Sequence, residues 1–94
     1  SPAQVIKAVA DYFQVEVSDL TGRCRKNTIA EPRQVAMYLL REVLGLSYPS
    51  IGEKLGKRDH TTAIYAYNKL SKEISKDQNL NQKIIAIKDI IQKA

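Results

Sequence analysis

Apolar side chains recur at spacings of three and four along most of the chain, the period of helices that bury one face. Ser1-Pro2-Ala3-Gln4 has the form of a capping box with proline at the first helical position. Ile6, Val9, Ala10 and Phe13 then form the buried face of a first helix ending near Phe13. Val15-Glu16-Val17 reads as extended, with Ser18 capping a single turn through Asp19 and Leu20. Thr28-Ile29-Ala30-Glu31 reads as a second capping box. It opens a helix to about Leu44 whose inner face is Ile29, Pro32, Ala36, Leu39, Leu40 and Val43, with Gly45 ending it. After Lys76-Asp77-Gln78-Asn79, a last helix carries Leu80, Ile84, Ile87 and Ile91 inward and Lys83, Lys88 and Lys93 outward. With the two helices described next, the pattern predicts an all-α fold: one compact bundle of about six helices spanning 1–94.

The stretch from Ser47 to Ala66 organises the rest. Ser47 caps a short helix, Pro49 is tolerated in its first turn, and Ile51 and Leu55 share one face. Gly52 leaves room for a neighbouring helix, and Gly56 closes the short helix in the left-handed conformation. Asp59 caps a second helix reaching about Ser75, with His60, Thr61 and Thr62 in its exposed first turn. Ala63, Tyr67, Leu70 and Ile74 form its inner seam. The opposite stripe, Thr61, Tyr65, Asn68 and Lys72 with Lys69 beside it, contains no carboxylate. Two helices joined by a short glycine-containing turn form a helix-turn-helix, whose second helix presents its N-terminal residues to bases in the DNA major groove.

Charge agrees with that reading. Lys and Arg number 15 against 10 Asp and Glu, a net +5, which points to a polyanion and to nucleic acid before membrane. The cations cluster in Arg23-Cys24-Arg25-Lys26, which is either a solvated loop or an arm suited to phosphates and a narrow minor groove. Lys57 and Arg58 precede a helix N-terminus, where free N–H groups and the helix dipole attract phosphate. Asp59 is either a pure N-cap or an acceptor for a cytosine amino group. His60 and Thr61 offer ring, methyl and polar surface to base edges, Thr62 suits a phosphate, and Pro49 and Tyr48 suit a thymine methyl. Arg33, Gln34 and Arg41 share a polar face of the long helix, as ordinary solvated side chains do.

Other chemistries fall away. The one cysteine, Cys24, has no partner for a disulfide and reads as incidental; the one histidine, His60, belongs to no metal-spaced cluster. Gly52-Glu53-Lys54-Leu55-Gly56-Lys57-Arg58 superficially matches a P-loop. It is one residue short between the glycines, lacks Ser or Thr after the lysine and follows no strand. No apolar run reaches bilayer length and no charged-then-apolar leader opens the sequence, so a soluble cytoplasmic protein is expected.

Gly56-Lys57-Arg58-Asp59-His60-Thr61-Thr62, followed by Ala63-Ile64-Tyr65-Ala66 and Lys69-Leu70, closely resembles the signature of the C-terminal DNA-binding domain of the bacterial replication initiator DnaA. The resemblance extends upstream through Pro32-Arg33-Gln34-Val35-Ala36-Met37 and the basic segment, and so covers about the whole chain. Ala63 stands where that family usually has a larger aliphatic residue, and Glu31 where a basic one is common. The resemblance implies a double-stranded DNA partner, the DnaA box of a replication origin. Asp59, His60 and Thr61 would read the major groove with Pro49 beside them, and Arg25 the minor groove. Arg33, Gln34, Arg41, Lys57, Arg58, Thr62 and Lys69 would hold phosphates. It implies no enzymatic activity and no cofactor here, ATP belonging in that family to a separate upstream ATPase domain. A monomer acting at the nucleoid suits an asymmetric site.

Overall fold

The computed structural model describes residues 1–93 and contains six helices: α1 (Pro2–Phe13), α2 (Val17–Thr21), α3 (Asn27–Leu44), α4 (Tyr48–Lys54), α5 (His60–Glu73) and α6 (Gln78–Lys93). No strand occurs among the described residues. α3 is the axis of the bundle, and α1, α2, α4 and α5 pack around it while α6 lies on α1.

The pattern of burial follows from that position. Val35, Ala36, Met37, Tyr38, Leu39 and Leu40 are consecutive and all buried, so the middle of α3 is enclosed on every side rather than on one stripe. Its C-terminal end extends past the packing, which leaves Val43, expected inside, 40% exposed. α1 buries Val5 and Ala8 as well as Ile6, Val9 and Ala10, and its Ser1–Gln4 capping box forms as expected. Phe13, Ile74 and Ile91 reach only the margin of the core.

Three helix starts differ from the sequence reading. Glu16, not Ser18, caps α2, and its N–H donates to Asp19 Oδ2 at 3.4 Å, so Val17 is helical instead of extended. The Thr28–Glu31 capping box does not form. Lys26 is the N-cap and its carbonyl accepts the Ile29 N–H, so Thr28 already lies inside the helix and has no free donor ahead of it. Glu31 instead accepts from Lys83 Nζ at 3.0 Å and joins α3 to α6, which draws Lys83 partly inward from the solvent face assigned to it. α6 starts at Gln78, where Asp77 Oδ1 accepts the Leu80 N–H at 3.1 Å.

Candidate nucleic-acid interface

α4 and α5 are built as a unit by their caps and by one close backbone approach. Ser47 Oγ accepts the Ser50 N–H at 3.2 Å at the start of α4, and Ile51 and Leu55 are fully buried beneath it. The chain leaves α4 with two successive positive φ angles, +90° at Gly56 and +54° at Lys57. That reversal lets the Arg58 N–H donate to the Gly52 carbonyl at 2.8 Å. A Cβ on Gly52 would fall inside the Arg58 carbonyl oxygen. The space at Gly52 therefore serves the turn's own backbone, not a neighbouring helix as the sequence reading had it.

Asp59 caps α5: its Oδ1 accepts the Thr61 N–H at 3.1 Å and lies 2.9 Å from His60 Nδ1. The Thr61 N–H, and secondarily His60, hold the Asp59 carboxyl below its ordinary pKa. A depressed carboxyl stabilises the fold fully above its unfolded pKa and loses that contribution as pH falls through its folded pKa. Acid below the ordinary carboxylate range should therefore loosen the start of α5. Asp59→Asn, which keeps an acceptor but does not titrate, should remove this part of the melting-temperature fall between neutral and strongly acidic pH. An identical pH–Tm profile for both proteins would exclude it.

The exposed stripe of α5 is as expected: Thr61, Tyr65, Asn68 and Lys72 all face solvent, and the inner seam is Ala63, Ala66 and Leu70 with Tyr67 at its edge. His60, Thr61 and Thr62 stand exposed at the head of that stripe, with Lys57 and Asp59 beside them in the turn.

Two hollows flank this head. One is lined by Arg33, Gln34, Arg58, Thr62 and Tyr65 between α3 and α5. The other is lined by Arg23, Arg25, Gly56, Lys57 and Arg58, between the basic loop and the α4–α5 turn, and has no carboxylate in its wall. The loop is therefore brought directly to the turn. Cys24 packs against the core, so it anchors the loop, while Arg23 and Arg25 on either side are exposed.

The remaining cations differ in how free they are. Arg33 is 8% exposed, not solvated as its face suggested: Nε donates to the Leu20 carbonyl at 3.1 Å and Nη2 to the Asp19 carbonyl at 2.5 Å. Burial first, then the nearby Arg58 charge, lowers its pKa. Arg41 donates from Nη1 to the Leu46 carbonyl at 2.9 Å, and its guanidinium lies 4.5 Å from the centre of the Tyr48 ring. It thus sets the approach to α4, where Pro49 is exposed. Lys69 Nζ reaches Gln34 Oε1 at 3.3 Å, tying two residues of one polar surface together across α3 and α5. Sequence periodicity could not find the Arg33 and Lys69 pairings, because they join elements remote in the chain, nor that of Arg41, which depends on how the chain turns after Gly45. The one signal was that Arg33 lies between the buried Pro32 and Val35 positions.

No group of three or more His, Cys, Asp or Glu side chains able to hold a metal ion occurs among the described residues. No helix among them is long and apolar enough to cross a membrane.

The family model of the bacterial dnaA protein helix-turn-helix matches residues 2–70. The chain is similar to the chromosomal replication initiator protein DnaA of Lacticaseibacillus casei, 44% identical over 88 residues that make up 94% of this chain and 20% of that protein. The same protein of Lactococcus lactis subsp. cremoris is 49% identical over 80 residues, 85% of this chain and 18% of the relative. That of Thermomicrobium roseum is 42% identical over 88 residues, 94% of this chain and 19% of the relative. The chain spans about a fifth of the length of these relatives.

Proposed function

The chain belongs to the bacterial DnaA helix-turn-helix family, and on that premise we propose that it binds double-stranded DnaA boxes of a replication origin in the initiation of chromosomal replication. α5 enters the major groove, where Asp59, His60 and Thr61 meet base edges and Pro49 of α4 lies against a thymine methyl. The basic loop follows the adjoining minor groove, with Arg25 inserted where the negative potential is deepest. Gln34, Arg41, Lys57, Thr62 and Lys69 hold phosphates and fix register. Arg33 and Arg58 add positive charge from beneath that surface.

The observation that carries this reading is the meeting of the carboxylate-free recess of Arg23, Arg25, Lys57 and Arg58 with the exposed first turn of α5. A polyanion enters such a recess without repulsion, and the turn beside it is polar enough to discriminate bases. The domain performs no reaction and needs no cofactor for this role. It acts as a monomer on an asymmetric site at the nucleoid.

Fluorescence anisotropy of two labelled duplexes, one holding a DnaA box and one scrambled at equal A/T content, tests the proposal at several salt concentrations. A preference of about a hundredfold or more is expected, which at its minimum is just short of the usual specificity range of about 10³–10⁷. Equal, steeply salt-dependent binding would leave a DNA-binding domain with another target.

Arg41→Ala is expected to weaken both duplexes alike and to reduce the salt slope by about one, as loss of one phosphate contact does. A changed preference between the duplexes would show that Arg41 acts instead through Tyr48 on the placement of Pro49.

A further inference from the structure

Arg58 lines both hollows and forms the wall between them. Its Nη1 donates to the Gly22 carbonyl at 3.1 Å, at the root of the basic loop, and to the Leu55 carbonyl at 2.5 Å, at the end of α4. No carboxylate takes part, so this half-buried charge is balanced by peptide dipoles alone. Gly56 is shaped around the same contact: a Cβ there would collide with Arg58 Nη1 and with the Gly22 carbonyl oxygen. Loop, turn and guanidinium therefore meet at a single point where only glycine fits.

The loop has few other restraints. Residues from Arg23 to Lys26 lie outside any helix. Upstream, Arg33 holds the carbonyls of Asp19 and Leu20, and within the loop Cys24 rests on the core. Arg58 alone among the described side chains hydrogen-bonds from the α4–α5 turn to the loop segment.

We infer that Arg58 is a positioning residue for DNA recognition, a strap that sets the distance between Arg25 in the basic loop and the first turn of α5. The inference rests on the reading of loop and α5 as two DNA-contacting elements. With the strap in place, Arg25 is presented in register with α5 before DNA arrives. Without it, the loop must be ordered during binding, and affinity falls by that ordering cost. A plain phosphate ligand would contribute independently of Arg25.

A double-mutant cycle separates the two roles. Box affinity is measured by anisotropy for the unaltered domain, Arg25→Ala, Arg58→Ala and the double variant, with helicity checked by circular dichroism. Each single change is expected to weaken box binding about tenfold, and the second change to add less than about threefold once Arg25 is gone, a departure typical of coupled residues. Multiplying losses, about a hundredfold in the double variant, would overturn the inference, since independent sites add in free energy. Arg58→Lys keeps a cation, but its ammonium ends one bond short of the Nη1 that meets both carbonyls, so it should behave as Arg58→Ala does. Affinity restored by lysine would overturn the inference. Should Arg58→Ala fail to fold, Arg58→Lys takes its place in the cycle. An unaltered domain that shows no preference for the box would overturn the functional reading and this inference together. A clear preference with multiplying losses would overturn only the inference.

Discussion

Gly52→Ala is expected to destabilise the domain by about 3 kcal/mol, at the upper end of what overpacking a well-filled site costs. For a domain of this size, that corresponds to a fall in Tm of about 12–24 °C. The atom in the way is the Arg58 carbonyl oxygen, which belongs to backbone and has no rotamer into which it can retreat. The turn must move, and three things move with it. The Arg58 N–H loses the Gly52 carbonyl, the guanidinium loses its placement between Gly22 and Leu55, and the Asp59 cap shifts relative to α4. Binding to the box should fall further than stability alone explains, because the two helices no longer hold their angle. Thermal melting and anisotropy on one preparation check both effects. An alanine variant with unchanged Tm would mean that the turn adapts freely, and that the close approach at Gly52 does not hold the motif together.

His60→Ala and Thr61→Ala should do the opposite, sparing the fold and damaging recognition. The Thr61 side chain is exposed, and it is chiefly the Thr61 N–H that Asp59 caps, its hydroxyl being a lesser contributor. His60 is 55% exposed, with its Nδ1 on the same carboxylate. Exposed substitutions of this kind change stability by about 0.5 kcal/mol or less. Loss of a base contact costs about 1–3 kcal/mol, a weakening of roughly 5- to 150-fold confined to the box duplex. The discriminating quantity is the ratio of box to scrambled affinity, which should fall toward unity for both variants. An equal loss on both duplexes would move these residues from base reading to phosphate binding.

On the proposed function, the two variants divide the motif into a frame and a surface for reading bases. Gly52, Gly56, Ile51 and Leu55 form the frame, with no side chain offered to solvent beyond the turn itself. His60, Thr61, Tyr65, Asn68 and Lys72 form the surface, and none of them supports the core. Arg58 belongs to both groups, which is why its variants are the informative ones for the loop.

Most of the fold was legible because it depends on local rules. Ser1, Ser47 and Asp59 were recognisable as caps from their own neighbours, and each makes the expected side-chain hydrogen bond. The left-handed Gly56 and the outward stripe of α5 follow in the same way from glycine's backbone freedom and the helical period. The Thr28–Glu31 box failed because two equally local arrangements competed. The winner was decided by a carbonyl of Lys26 and by Lys83, 52 residues beyond Glu31. Val43 failed for a related reason. Periodicity shows which face is apolar, but not how far along its length a helix is covered.

The sequence by itself determined the helices, the helix-turn-helix, the polar stripe of α5 and the excess of positive charge. These are set by residues within a few positions of one another and by net composition. Only the tertiary structure decided which cations are free. In the sequence Arg33 looks like a solvated charge and Arg58 like a phosphate-attracting one before a helix start, yet their guanidinium groups hold the carbonyls of Leu20 and Gly22, 13 and 36 residues away. The reason is the chemistry of the folded chain. Backbone carbonyls left over at the end of α2 and the root of the loop need donors, and a long planar guanidinium reaching from α3 or from the α4–α5 turn can supply them. A side chain's charge is written in the sequence, but its partner exists only once remote segments have been packed together.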